Sequence, residues 1–254
     1  MIKQGIDVSK YQGLINWSKV RTDFAIVRAG HGRYIDQKDP MFERNYAGAK
    51  AAKIPVGAYW YSYATSVGEA RKEAEVCLQV LAGKQFEYPI YFDVEDSRQS
   101  KLDKATLTAI CEAFCDTLEK AGYYVGVYAS TYWFAHKLDH ARLASRHTIW
   151  LADYRKYYNR DMARNMHQIT SNGHVSGISG RVDLDISTLD FPAIIKDHGL
   201  NGYGKTTAPD STGHGKTAAP DSSGLKIFSA QASPGDIVQL EQLAKSLKLS
   251  YKIE

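Results

Sequence analysis

The sequence has few of the features that mark secreted, metal-binding or membrane-spanning chains. It has only three cysteines, Cys77, Cys111 and Cys115, an odd number without zinc-type spacing, so neither a disulfide framework nor a zinc site is expected. No stretch approaches the roughly 18 apolar residues of a membrane span, which argues against membrane insertion. The first residues, MIKQGIDVSKYQG, lack the apolar run of a signal peptide. We therefore expect synthesis in the cytoplasm, with any action on a cell wall following release by another route.

Charge of one sign is also missing. The net charge of +4 is the small difference between 32 basic and 28 acidic side chains in 254 residues, which does not indicate nucleic-acid binding. Tyrosine is abundant, with 17 residues, and rings with a polar edge suit sugar-binding clefts as well as sheets. Composition thus predicts a globular protein and favours a carbohydrate partner only slightly.

Short strand-like runs alternate with helical segments along the first 190 residues. The runs are 5–8, 24–29, 56–63, 89–94, 124–129, 148–154, 166–170 and 181–186, and the clearest helical patterns are 40–52, 66–82 and 103–121. Such alternation predicts a parallel sheet of β-α units, and eight strands suggest a closed, TIM-like α/β barrel. The last three units are too short for long helices, so we expect an irregular barrel there. An open doubly wound sheet is the rival, but no glycine-rich phosphate loop follows the first strand.

Residues 88–96, YPIYFDVED, place two carboxylates in an otherwise apolar strand. Asp93 and Glu95 are two positions apart, so they share one face of an extended chain. Two neighbouring carboxylates at the end of a buried strand resist ionising together, an arrangement typical of acid–base catalysis. A solvated pair, or one bound to arginines, is the structural alternative.

Further acidic residues fall at the ends of other strands. They are Asp7 on the first strand, Asp153 on the sixth, and Asp183 and Asp185 on the eighth. In a β/α barrel the carboxyl ends of the strands converge on one face, where active sites are built. We therefore expect these acids to meet Asp93 and Glu95 there.

Eight pieces in order along residues 5–186 resemble the lysozymes of glycoside hydrolase family 25, the muramidases of many phage endolysins and bacterial autolysins. The pieces are GIDVSKYQG, DFAIVRAGHG, PVGAYWYSYA, YPIYFDVED, GYYVGVYAS, IWLADY, HQIT and VDLDIS. The resemblance implies an irregular β/α barrel and a phage endolysin that acts on peptidoglycan without cofactor or metal. It would cleave the β-1,4 bond between N-acetylmuramic acid and N-acetylglucosamine.

The resemblance also implies roles for individual residues. Glu95 would be the general acid, and Asp93 beside it would raise its pKa and help orient the substrate. Asp7 and Asp183 fill the other two carboxylate positions of the family site. The remaining substrate-binding candidates are Tyr61, Tyr128, Trp150, Gln168, Asp153 and Asp185. Whether the nucleophile is a carboxylate or the substrate's own N-acetyl group stays open.

The sequence departs from the family pattern in two places. HQIT has Ile169 where an aromatic residue is expected, and the last motif ends in Asp185-Ile186-Ser187 rather than Asn followed by apolar residues.

Three other functions fit parts of the sequence less well. A chitinase-like glycosidase would carry an Asp two residues before the Asp-x-Glu pair, where this chain has Tyr91. A catalytically silent wall-binding protein would have no reason to keep four carboxylates. A metal-dependent hydrolase using His31 or His167 would need a ligand spacing such as HExxH, which is missing.

The composition changes after Leu200, which suggests a barrel over residues 1–200. Residues 203–213, YGKTTAPDSTG, are followed by the similar HGKTAAPDSSG at 214–224, and we predict a linker over 201–224. Residues 225–254 show a small β-α-β pattern whose helix begins near Ser233 and has an apolar face. So small a unit is not stable alone, and docking on the barrel, wall binding and self-association are all open.

Overall fold

The computed structural model describes residues 2–155 and 162–204, which form a closed barrel of eight strands in chain order. The strands are β1 Lys3–Val8, β2 Phe24–His31, β3 Val56–Tyr61, β4 Ile90–Asp93, β5 Val125–Ser130, β6 Thr148–Ala152, β7 Met166–Gly173 and β8 Val182–Ser187. The predicted barrel is thus confirmed. Most of the predicted linker, and all of the predicted module at 225–254, lie outside the described residues.

The barrel is irregular in the direction of its last strand. Strands β1 to β7 pair with one another in parallel, whereas β8 runs antiparallel to both β7 and β1. The expectation of a wholly parallel sheet is therefore wrong for β8. Only residues 174–181 join β7 to β8, and a parallel crossover needs about a dozen residues or more. They form the turn of a hairpin, held where the Asn16 backbone N–H donates to the Gly177 carbonyl at 2.8 Å.

Helices cover the outside of the first part of the barrel. The three predicted helices are α1 Phe42–Ala51, α2 Val67–Leu81 and α3 Lys104–Lys120, and three shorter ones are α4 Thr131–His136, α5 His140–Ala144 and α6 Phe191–Asp197. Single helical turns occupy Lys10–Gln12, Trp17–Lys19, Ile35–Gln37 and Ser97–Lys101. Side chains cap the N-termini of α2 and α3. The Ser66 hydroxyl accepts from the Glu69 N–H, and the Asp103 carboxylate accepts from the Thr106 N–H. No helix in the described part of the chain is long and apolar enough to cross a bilayer.

Glycines make room for aromatic rings inside the barrel. A Cβ on Gly126 of β5 would lie 2.6 Å from the Tyr91 ring and 2.4 Å from the Thr148 carbonyl, and one on Gly5 of β1 would lie 2.1 Å from the Phe24 ring. Real Cβ atoms do not approach so closely, so a larger residue would displace the ring or the neighbouring strand. In these two places a ring on one strand packs over a glycine on the neighbouring strand.

The end of the barrel where β1 begins is closed by the chain that follows β8. We call this end the floor, formed by Phe191, Ile194 and Ile195 of α6 together with Leu200 and Asn201, all of them buried. Because β8 runs antiparallel, the chain leaves it at this end and can fold directly across the opening. Packing continues past Leu200 to Tyr203, whose hydroxyl hydrogen-bonds Glu87.

Asn201 connects the floor to the segments that lead into β4 and β5. Its side-chain oxygen accepts from the Tyr124 N–H at 2.7 Å, and its amide donates to the carbonyls of Tyr88 at 2.9 Å and Phe86 at 3.2 Å. Its backbone lies in the left-handed region with a φ of 54°, a conformation that asparagine tolerates better than most residues. Every polar atom of the Asn201 side chain therefore has a partner.

Candidate active site

Five acidic residues meet at the end of the barrel opposite the floor. We call this end the carboxylate face, defined by Asp7, Asp93, Glu95, Asp183 and Asp185. Residues alternate between the two sides of a strand, so Asp7 of β1 and Asp93 at the end of β4 point into the barrel. Because β8 is antiparallel, it begins at this face and runs toward the floor, so Asp183 and Asp185 do not reach the face from the carboxyl end of a strand. The structure thus brings the predicted carboxylates together by a different route.

Asp7, Asp183 and Asp185 form one cluster of carboxyl groups. Asp7 and Asp183 are directly opposite across the β1–β8 pair, and Asp185 lies opposite Gly5 in the same pair. Burial, then the charges of Asp185 and Asp183, raise the pKa of Asp7 well above its usual range. Burial, followed by the charge of Asp183, raises the pKa of Asp185 to about 8. The cluster therefore retains a proton where isolated aspartates would have lost theirs.

Asp93 and Glu95 differ in exposure. Asp93 is buried, and burial, then the charge of Glu95, raise its pKa well above its usual range, while Arg28 acts in the opposite direction. Glu95 is exposed, yet the surrounding protein removes part of its water, and this effect together with the charges of Asp183 and Asp96 raises its pKa. A reachable carboxyl with a raised pKa can act as a proton donor.

Gln168 joins the carboxylates to two tyrosines. Its side-chain oxygen lies 2.9 Å from the Tyr128 hydroxyl and 2.6 Å from the Tyr154 hydroxyl, and both hydroxyls donate to it. Its amide nitrogen donates to Asp7 Oδ2 at 2.6 Å. The predicted candidate Gln168 thus contacts the carboxylate cluster directly, although it is buried.

The aromatic candidates lie at different depths. Trp150 is buried below the carboxylates, and its indole N–H donates to Asp185 Oδ1 at 2.8 Å. The Tyr128 ring packs edge-on against Trp150, with ring centroids 4.5 Å apart. Tyr61 is half-buried, and its hydroxyl donates to Asp96 Oδ2 at 3.3 Å. Of the three, Tyr61 is the one that opens toward solvent, while Trp150 and Tyr128 support the acids from beneath.

Two other residues stand apart from the carboxylates. Asp153 is paired with Arg155, whose Nη2 lies 2.6 Å from its Oδ2, and Thr131 donates to the same oxygen at 2.9 Å. These bonds hold the pKa of Asp153 well below its usual range. Ile169 faces away from the site, lining a groove on the outer side of β7, β8 and β1 with Leu184.

Sequence reasoning did not single out three residues of the site. Arg28 of β2 is buried near Asp93, with its guanidinium carbon 5.2 Å from the Tyr61 ring centroid. Tyr59 of β3 is half-buried, and burial followed by the charge of Asp7 raises its pKa. Tyr154 contacts Gln168. A signal existed for Arg28, because it occupies the inward position of an otherwise apolar strand.

Comparison with known proteins adds a family and several relatives. The family model described as "Glycosyl hydrolases family 25" matches residues 6–178. The YegX protein of Escherichia coli K12 is 30% identical over 193 residues, which are 72% of this chain and 68% of YegX.

Two solved structures share the fold and part of the sequence. The modular autolysin LytC of Streptococcus pneumoniae, solved with a synthetic peptidoglycan ligand, is 30% identical with a TM-score of 0.64. That match covers 73% of this chain and 46% of LytC, so the chain spans less than half the length of that relative. The CTP1L endolysin is 25% identical with a TM-score of 0.66, covering 76% of this chain and 69% of its own.

Proposed function

The chain belongs to glycosyl hydrolases family 25, and from this we propose that it is a muramidase acting on peptidoglycan. It hydrolyses the β-1,4 bond between N-acetylmuramic acid and N-acetylglucosamine. The substrate class is supported by LytC, which was solved with a synthetic peptidoglycan ligand.

One observation carries the proposal: Glu95 is exposed and has a raised pKa beside the buried Asp93. Protonated Glu95 can deliver its proton to the leaving glycosidic oxygen, as the acid of a glycosidase must. Oδ1 of Asp93 is buried and has no hydrogen-bond partner among the described residues, and the charge of Glu95 contributes to the raised pKa of Asp93. Asp93 therefore stands beside the acid as a carboxyl that resists ionising together with it.

The test is reducing-end analysis of purified peptidoglycan after digestion, with the Glu95→Gln variant alongside. We expect new muramic acid ends from the wild type and almost none from the variant. New glucosamine ends would place the cut at the other bond and overturn the muramidase assignment. No new ends from either protein would support a wall-binding protein without catalysis.

We further propose that the enzyme serves as a phage endolysin, supported by its likeness to the CTP1L endolysin. In this role it is made in the cytoplasm and reaches the wall after a membrane pore opens. Expression in a susceptible host with and without a co-expressed holin tests the idea. Lysis that needs the holin supports the proposal, and lysis without it contradicts the route.

We propose a wall-targeting or self-association role for residues 225–254, from their predicted amphipathic helix and the linker before them. A chain ending at Gly204 keeps Asn201 and Tyr203 on the floor, so it is the appropriate truncation. The truncated chain should lyse cells more slowly or lose an oligomeric state of the full chain. Equal lysis at the same oligomeric state would contradict the proposal.

A further inference from the structure

A side cavity of about 270 Å³ opens next to the carboxylate face. It lies among the connections that follow β2, β3 and β4, and its main lining residues are Arg33, Tyr34, Gln37, Tyr63, Glu69 and Arg98. None of these residues belongs to the predicted site. The cavity approaches the lower end of the range of about 300–1,000 Å³ for small-molecule sites, enough for one sugar unit.

The side cavity adjoins the active site through Tyr61. The Tyr61 ring contacts the Tyr63 ring edge-on, with centroids 5.4 Å apart, and its carbonyl accepts from the Gly32 N–H at 3.1 Å. Its hydroxyl donates to Asp96, the residue after Glu95. A chain of sugars that passes Glu95 therefore needs to cross only Tyr61 to reach the cavity.

The walls of the cavity are held in place without a ligand. The Tyr63 N–H donates to the buried Glu73 carboxylate at 2.8 Å, and the Tyr34 N–H donates to the Gln37 side chain at 3.0 Å. The Arg98 guanidinium stacks on the Tyr63 ring, 3.7 Å from its centroid. A preformed site loses little conformational entropy when it binds.

Both arginines of the cavity are paired with carboxylates, while burial raises the pKa of the other lining acid, Glu73, to about 7. Arg33 forms an ion pair with Glu69, and Arg98 Nε lies 3.1 Å from Asp96 Oδ1. Because each guanidinium already has a carboxylate, the cavity offers no free cation to a peptide carboxylate. What it offers is planar donors and acceptors beside the exposed Tyr34 ring, which suits hydroxyl and acetamido groups and the apolar face of a sugar.

We propose that the side cavity is a remote subsite that binds one N-acetylhexosamine unit of the same glycan strand, several sugars from the cleaved bond. The inference rests on the proposed muramidase function and names what that site recognises. The subsite makes the enzyme selective for long strands, since a short oligosaccharide held at Glu95 does not reach Tyr34.

The experiment compares kcat/KM on peptide-free glycan strands, long ones against a tetrasaccharide. Tyr34→Ala should lower the ratio of long-strand to tetrasaccharide activity about fivefold or more, and Tyr34→Phe, which keeps the ring, should preserve it. Ile35→Ala is the matched control, because Ile35 is 56% exposed on the same loop but does not line the cavity. Thermal melts of all three variants check that each is folded.

The outcomes separate the subsite from the muramidase proposal. An unchanged ratio in folded Tyr34→Ala, with an active wild type, would overturn the subsite. A loss seen only on strands that carry stem peptides would also overturn it and assign the cavity to the peptide. A wild type without activity on any strand would instead refute the muramidase function.

Discussion

At the floor of the barrel every polar atom of the Asn201 side chain has a partner, whereas at the carboxylate face one buried oxygen of Asp93 has none among the described residues. Both ends enclose polar groups in the same aromatic interior. At the floor, the polar groups of Asn201 bind the chain after β8 to the segments before β4 and β5. At the carboxylate face, burial raises the pKa values of the acids. A buried polar group without a partner costs free energy. Stability should therefore depend on the floor and activity on the face.

The largest effect should come from Glu95→Gln, for which both activity and thermal stability are measured. Removing the acid should lower turnover of peptidoglycan by at least about 10²-fold, while the shape of the side chain is kept. Because Glu95 is exposed and no hydrogen bond to its side chain is found within the described residues, the melting temperature should move by no more than about 2 °C. A folded variant with near-normal turnover would contradict the role of Glu95 as the acid. A large fall in melting temperature would contradict the view that the carboxylate face contributes little to stability.

Asn201→Ala should have the opposite profile. Loss of three buried hydrogen bonds should lower the free energy of unfolding by about 2–4 kcal/mol, measured by urea denaturation. Activity per folded molecule should stay at the wild-type level. Asn201→Gly is the control, because glycine accepts the positive φ and so isolates the side-chain bonds from backbone strain. A stable Asn201→Ala protein would show that the floor does not govern stability.

Asp185→Asn should change how stability depends on pH. The pKa of Asp185 is raised to about 8 in the folded protein. The stability that this shift contributes is therefore complete below the ordinary pKa of an aspartate and is lost as the pH rises through about 8. The wild type should lose stability between about pH 4 and 8, and the variant should lose about 1–3 kcal/mol less. The amide oxygen still accepts from Trp150. Parallel pH curves for the two proteins would contradict the buried, protonated cluster.

Asp183→Asn should produce the smallest change, a shift in the pH–activity curve. After burial, the charge of Asp183 is the largest cause of the raised pKa of Glu95, so its removal lowers that pKa. Glu95 must be protonated to act, so the alkaline limb of the pH dependence of kcat/KM should move to lower pH. Asp197→Asn on α6 makes the same change of net charge away from the face. If the alkaline limbs of the two variants coincide, the charge of Asp183 does not affect the pKa of Glu95.

The positions of the strands were predictable, but the direction of β8 was missed. Alternating apolar residues reveal a strand whichever way it runs. The short connection over residues 174–181 was the available clue, since it leaves no room for a parallel crossover. The acids still lie at one end, because the hairpin from β7 brings Asp183 there.

Contacts between distant parts of the chain set the limit of prediction at the site. Gln168 and Asp7 are 161 positions apart, and their bond exists only because the barrel closes. In the sequence Asp153 resembles the other acids at strand ends, but it forms an ion pair with Arg155 and does not join the carboxylate cluster. Asn201 fell in a stretch that reads as linker, and its role depends on strands far away in sequence.

The reversal of β8 also determines the side of the barrel from which its two chain ends emerge. Ile2 precedes β1 and Gly204 follows the floor, so both ends of the described barrel emerge on the side away from Glu95. Whatever is joined there, whether a natural module or an engineered fusion, begins on the side of the barrel opposite the carboxylate face.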